Sequence, residues 1–391
     1  MSAASSAASE NNSQPVAILV PMATPALITA MVNTCHGLSD LIFSPGRMPQ
    51  VEMSGRLVTP SVAGLSVLTA SDTARISADL IGENQVASQS LKEEGSADLS
   101  YSIPQVSRFR VNIFRQRGSY AIVMRIIASD VPTFQELQLP EELKKIAMLR
   151  TGAVLVTGPT GSGKSSTLAA VIDLINATRA EHIITIEDPI EFIHPHKKAT
   201  IHQRELHTDT VSFASALRAA MRQAPKVILV GEMRDKETIE IALTAAETGH
   251  LVLSTLHTID ASKTVERIVG AFTLAEQGAI RARLAATFRY FIAQKLVPKK
   301  NQDGRTAVFE ILKSTLRTRS YIEQGEKEGK SLLDAIRDGS QDGMQCFDGE
   351  LEKLVRGNKI ELRTALQYAT NEGNLMLMLS DCEEEPVPGP E

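Results

Sequence analysis

Gly158-Pro159-Thr160-Gly161-Ser162-Gly163-Lys164-Ser165 fills every fixed position of the phosphate-binding loop GxxxxGK[ST]. The run before it, Ala153-Val154-Leu155-Val156-Thr157, reads as a buried strand. After it, Leu168, Val171, Ile172 and Ile175 recur at helical spacing. A strand-to-helix turn is the one setting in which this motif carries its chemistry. Its glycines let the backbone wrap closely and aim N–H groups at phosphate oxygens, and the helix N-terminus adds partial positive charge. Lys164 is placed to reach the β- and γ-phosphates, and the Ser165 hydroxyl is the expected Mg²⁺ ligand. Ser166 continues the set of expected nucleotide contacts. At the usual glycine frequency a chance match in a chain this long is roughly a one-per-cent event. The reading is a nucleoside triphosphate site.

Outward from this loop, apolar strands alternate with helices, the pattern of a parallel sheet wrapped by helices. Ile183–Ile186, Val227–Val230 and Leu251–Thr255 are the other expected strands. In such sheets ligands bind beyond the carboxyl ends of the strands. Each of these strands delivers polar residues there: Glu187-Asp188-Pro189-Ile190-Glu191, Gly231-Glu232-Met233-Arg234-Asp235 and Leu256-His257-Thr258. Glu232, after Val-Ile-Leu-Val, has the form of an acid that holds Mg²⁺ directly or through water. Alone, an acid after an apolar strand is as well explained as a solvated strand end; paired with the loop it gains weight. Glu187 and Glu191 compete for the role of general base, which needs a carboxylate within about 3 Å of the attacking water. Spacing leaves that choice open. Asp188 before Pro189 fits a turn cap, and His257 fits either a γ-phosphate sensor or a satisfied structural histidine.

The segment before the sheet reads as a small α+β domain. A short capped helix follows Thr24-Pro25, and short antiparallel strands surround Ser44-Pro45-Gly46 and Ser54-Gly55. A helix spans Ser71–Ile81, and two alternating strands, Phe109–Phe114 and Tyr120–Ile127, flank a turn. Ser129–Pro140, with two prolines, is the candidate linker. From Leu274 onward the pattern reads mainly as helices. The expected organisation is a disordered tail over 1–20, a first domain over 21–128, a linker over 129–140, the nucleotide domain over 141–375 and an acidic disordered tail over 376–391.

With 41 basic and 46 acidic residues the formal charge is −5, and no Lys/Arg-rich run marks a nucleic-acid surface. Cys35, Cys346 and Cys382 form no CxxC pair, which argues against a disulfide framework or a zinc module. Val16–Val32 is apolar but broken by Pro21 and Pro25, and no basic residue precedes Arg47. It fits neither a signal peptide nor a membrane helix. A cytoplasmic protein, peripheral to the membrane at most, is expected.

GPTGSGKSS, HIITIEDPIEFIH and KVILVGEMRDKETIEIALTAAETGHLVLSTLHT, in this order and at these distances, resemble the Walker A, Asp, Walker B and His boxes of the secretion-ATPase superfamily. Within it they are most similar to the PilT-type pilus-retraction ATPases. Ser39-Asp40-Leu41 through Gly55-Arg56-Leu57, with Arg108-Phe109-Arg110-Val111-Asn112, resemble that family's PAS-like first domain. The resemblance implies a RecA-like ATPase domain that hydrolyses ATP with Mg²⁺. It also implies Glu191 as general base and Arg110 and Arg125 as the arginines that reach the γ-phosphate. Finally it implies a homo-hexamer docked on an inner-membrane platform protein at the base of a type IV pilus, driving retraction. The residues themselves leave other readings open: an accessory retraction paralogue or a secretion or conjugation ATPase, a nucleotide-regulated assembly protein, and a small-molecule kinase.

Overall fold

A computed structural model of the chain describes residues 22–34, 38–53, 56–127, 130–300 and 304–381. The expected tail over 1–20, the Ser54-Gly55 turn and Ser129 lie outside the described residues. The chain divides into two units, Met1–Ile126 and Ile127–Glu391.

The first unit contains α1 (Thr24–Val32), β1 (Leu38–Phe43), β2 (Gln50–Met53), β3 (Arg56–Val58), α2 (Ala70–Ile81), α3 (Gln85–Glu93), β4 (Ser96–Ile103), β5 (Ser107–Gln116) and β6 (Ser119–Ile127). The strands form one sheet in the order β3-β2-β1-β6-β5-β4. Thr69 and Asp72 close a reciprocal capping box at the start of α2. Sequence reading left α3 and β4 unassigned, since their apolar positions are sparse and separated by Ser and Gln. Between β5 and β6 the chain turns at Arg117-Gly118, both at positive φ (46° and 76°), as a two-residue hairpin requires. Arg110 and Arg125 are equidistant from that turn and so stand opposite each other. Arg110 also lies opposite Ser100, and Arg125 opposite Asp40. The alternate row, Leu41, Met124, Val111 and Leu99, belongs to the buried core. Period-two alternation therefore sends the arginines to one face and the apolar row to the other.

The second unit contains β7 (Gly152–Thr157), α4 (Lys164–Thr178), β8 (His182–Glu187), β9 (Thr200–Glu205), α5 (Phe213–Ala220), β10 (Val227–Val230), α6 (Lys236–Glu247), β11 (Leu251–Leu256), α7 (Ala261–Val269), α8 (Leu274–Thr287), β12 (Phe288–Pro298) and β13 (Arg305–Lys313). Helices α9 (Leu316–Gln324), α10 (Leu332–Asp338), α11 (Phe347–Arg356), α12 (Leu362–Tyr368) and α13 (Glu372–Met378) follow. Its sheet runs β13-β12-β7-β11-β10-β8-β9, with β13 alone antiparallel to its neighbour. All residues of β7 are buried, because helices cover both faces. Ala153 and Leu155 join one apolar layer with α5–α8, whereas Val154 and Val156 join the other with α4. Each fully buried valine or leucine among them stabilises the fold by about 1.5–3 kcal/mol. This is the α/β architecture expected, a largely parallel sheet in the second unit, preceded in the chain by a small α+β unit.

The structure refines three of these expectations. The segment from Leu274 onward is mainly helical, as expected, but not throughout: after α8, β12 and β13 extend the sheet beside β7. Their apolar runs are interrupted by Arg289, Gln294, Lys295 and Glu310, which obscured the strand signal. Within the candidate linker, Phe134 and Leu137 pack on the core beside α4, Leu139 is buried, and Glu136 caps the turn begun at Thr133. The tail does not begin at 376. Helix α13 runs to Met378, and Leu375 and Leu379 are buried against α11 and α12, so apolar anchoring outweighs the acidic composition there. Residues 382–391 lie outside the described set.

Candidate nucleotide-binding and hydrolysis site

Strand register brings the expected chemistry to one sheet edge. Thr157 lies opposite Leu256, and Val230 opposite both Ile186 and Ser254. The segments leading to Gly158, Glu191, Glu232 and His257 thus leave the sheet together. Ser254 and Thr255 pin the neighbouring strand end by donating to the carbonyls of Val230 and Gly231, each at 2.6 Å.

The loop is shaped by glycine where nothing else fits. Gly158 has φ 144°, and a Cβ there would sit 2.3 Å from the Gln294 carbonyl oxygen and 2.6 Å from Ser162 Oγ. Gly163, at φ 88°, would place a Cβ 2.9 Å from Gln294 Nε2. Gln294 of β12 is buried and accepts from Thr167 Oγ1 at 2.8 Å, so it braces both the loop and the first turn of α4. Sequence reading missed it; a lone polar residue in a segment read as helix gave no signal. Helix α4 begins at Lys164 with no side-chain cap, leaving its first amides available to an anion. Thr157 Oγ1 and Ser162 Oγ are buried without partners. Pro159, Thr160 and Gly161 are exposed at the loop's tip, and Ser166 is half-buried.

Lys164 is 8% exposed, and its Nζ donates to the carbonyls of Gly158 and Pro159, each at 3.0 Å. Burial pulls its pKa down, while the carboxylates of Glu191 and Glu232 act to hold it up. Ser165 Oγ donates to Glu191 Oε1 at 2.9 Å. Glu232 is approached by Arg234 Nε at 2.5 Å and His257 Nε2 at 3.5 Å. Glu191 is exposed, but Glu187 is engaged: its carboxylate accepts from Thr185 Oγ1 at 2.6 Å, from Gln203 Nε2 at 3.1 Å and from the Glu191 backbone amide. Burial pushes the Glu187 carboxyl up, against those hydrogen bonds. The two acids of the Asp box are therefore chemically distinct: one is a bonded scaffold, the other an accessible carboxylate beside Ser165.

Arg110 and Arg125 stand in the first unit. Arg125 Nε bonds Asp40 Oδ1 at 2.9 Å, with the arginine side chain 68% exposed and the aspartate 7%. Arg110 is exposed on β5. Among the described residues no helix is long and apolar enough to cross a membrane.

The sequence profile described as "Type II/IV secretion system protein" matches residues 73–367. The chain belongs to the type II/IV secretion system protein family. It is 43% identical over 334 residues to "Type IV pilus retractation ATPase PilT" of Pseudomonas aeruginosa, covering 85% of this chain and 95% of the relative. It is 38% identical over 354 residues to "Type IV pilus ATPase PilU" of the same organism, covering 90% of each. Among solved structures, "Crystal Structure of the Pilus Retraction Motor PilT and Bound ADP" superposes with a TM-score of 0.81 at 38% identity, covering 90% of this chain and 99% of that one.

Proposed function

We propose that this chain is the subunit of a homo-hexameric motor that hydrolyses ATP to retract type IV pili. The observation that carries the hydrolytic half is the Ser165–Glu191 contact at the phosphate-binding loop. The pilus half is supported by the retraction ATPases the chain is similar to.

In this reading Glu191 is the general base. It accepts a proton from water as that oxygen forms its bond to the γ-phosphorus and the bond to the β–γ bridging oxygen breaks, yielding ADP and phosphate. The Ser165 hydroxyl and the attacking water compete for one carboxylate oxygen, so a hydroxyl engaged elsewhere frees the base. Ser165 and Glu232 offer the hard oxygen donors that Mg²⁺ prefers and would hold it. Bound there, the ion would supply positive charge to offset that of the phosphates. Lys164 exchanges its carbonyl partners for phosphate oxygens, His257 steadies Glu232, and the glycine-rich backbone from Gly158 to Ser166 holds the triphosphate. Arg110 and Arg125 meet charge developing on the γ-phosphate, the role the resemblance assigns them. The hexamer works in the cytoplasm against the inner-membrane platform of the pilus machine, and its strokes withdraw pilin from the fibre base.

Deleting the gene tests this reading. A retraction motor predicts cells with excess surface pili and no twitching; bald cells contradict it and point to assembly. The similarity to the second pilus ATPase over 90% of each chain favours an accessory role as runner-up, and pili that still retract after deletion would support that role.

A further inference from the structure

We propose that Gln203 is a positioning residue for Glu191: from β9 it clamps the loop after β8 so that the Glu191 carboxylate stays at the phosphate-binding loop. The inference rests on the reading of Glu191 as general base. Residues 188–194 have no helix or strand to hold them, so side chains of the neighbouring strand do so instead. Gln203 Nε2 donates to Glu187 Oε1 at 3.1 Å and to the Phe192 carbonyl at 2.8 Å, and its Oε1 accepts from the His194 amide at 2.9 Å. Those three bonds fix which way the side-chain amide faces, because a flipped amide would set donor against donor at His194. Two residues along the same strand, and so on the same side, Glu205 Oε2 accepts from the Ile190 amide at 3.1 Å.

Glu191 is thus bracketed on both sides. Glu205 holds the residue before it, Glu187 holds its own amide, and Gln203 holds the carbonyl after it. Gln203 alone among these links Glu187 to the chain beyond Glu191, which closes the loop. The Glu191 side chain is exposed and bonds Ser165, so its position depends on the backbone beneath it. A shift of about 1 Å in a reacting group can cost on the order of a hundredfold in rate.

The test compares the full-length protein with Gln203→Met, which keeps the length of the side chain and removes all three hydrogen bonds. Turnover number, affinity for a fluorescent ATP analogue and melting temperature are measured together. The expected result is kcat lower by about ten- to a hundredfold, with analogue affinity within about twofold and the melting temperature lower by several degrees for the lost hydrogen bonds. Gln203→Thr, a good strand former too short to reach the loop, should behave alike and decides the matter if the Met variant does not fold. Unchanged kcat, or kcat and affinity falling in parallel, overturns the clamp. Glu191→Gln is assayed alongside. Full turnover there removes the base assignment and this inference with it, whereas a dead Glu191→Gln beside an unimpaired Gln203→Met overturns the clamp alone.

Discussion

Ser165 donates its hydroxyl hydrogen to Oε1 of Glu191 at 2.9 Å, joining the phosphate-binding loop to the segment after β8 across 26 residues of chain. Neither Glu187 nor Asp188 has that contact. Glu187 faces Thr185 and Gln203, and Asp188 is exposed on a cis peptide to Pro189. This difference separates two acids four positions apart, one occupied and one facing the phosphate-binding loop.

The glycines of the loop are not equivalent. Gly158→Ala puts a methyl group 2.3 Å from a backbone oxygen of Gln294, so the loop or β12 must move. We expect this variant to lose binding of a fluorescent ATP analogue outright. Gly161, at φ 77°, has nothing within 4 Å of an added Cβ, and Gly161→Ala meets only the left-handed backbone penalty of about 1–2 kcal/mol. Its melting temperature should fall by a few degrees while the analogue still binds. Equal loss of binding in the two variants would contradict this geometry.

Glu310 makes stability depend on pH. It is 2% exposed and accepts from the Ala261 amide at 2.9 Å, just after the His257 segment. Burial pushes its carboxyl up to about 7; Asp260 and Asp348 add to the rise, while the Ala261 bond and Lys295 oppose it. In the unfolded chain it ionises near 4.5. Between those values the folded protein holds the proton more tightly, so stability is fully present below pH 4.5 and is lost as pH rises through 7. The loss is on the order of 3 kcal/mol. Glu310→Gln keeps an acceptor for Ala261 without the charge. Its melting temperature should therefore gain on the wild type as pH rises from 5 to 8, and parallel curves would contradict the assignment.

Arg125 and Arg110 share one row of the first unit's sheet, and Asp40 anchors the former. If these guanidiniums meet the γ-phosphate, Arg110→Ala and Arg125→Ala should each lower kcat by about a hundredfold or more while ATP-analogue affinity changes far less. Asp40→Asn, which weakens the anchor and keeps the arginine, should cause a smaller loss. Wild-type turnover in both arginine variants would remove them from the site.

How far the sequence was legible follows from where each signal lies. The motif at Gly158–Ser165 and the largely apolar runs of β7, β8, β10 and β11 stand out, because parallel strands covered on both faces carry little else. Strands β9 and β12 did not, because their structural work is done by polar side chains. Gln203 and Glu205 hold the loop bearing Glu191, and Gln294 braces the glycine loop. Such residues look like solvated surface until their partners, up to 127 positions away for Gln294 and Thr167, are in place. The same limit kept Glu187 and Glu191 indistinguishable by spacing. Only the hydrogen bonds separate an occupied acid from an available one.

The most direct measurement is steady-state ATP hydrolysis by Glu191→Gln, with binding of a fluorescent ATP analogue measured on the same protein. Replacing the carboxylate with an amide keeps a partner for Ser165 but removes the proton acceptor. We predict that turnover falls by about a hundredfold or more while the analogue binds as to wild type. Full hydrolytic activity in Glu191→Gln would contradict the account.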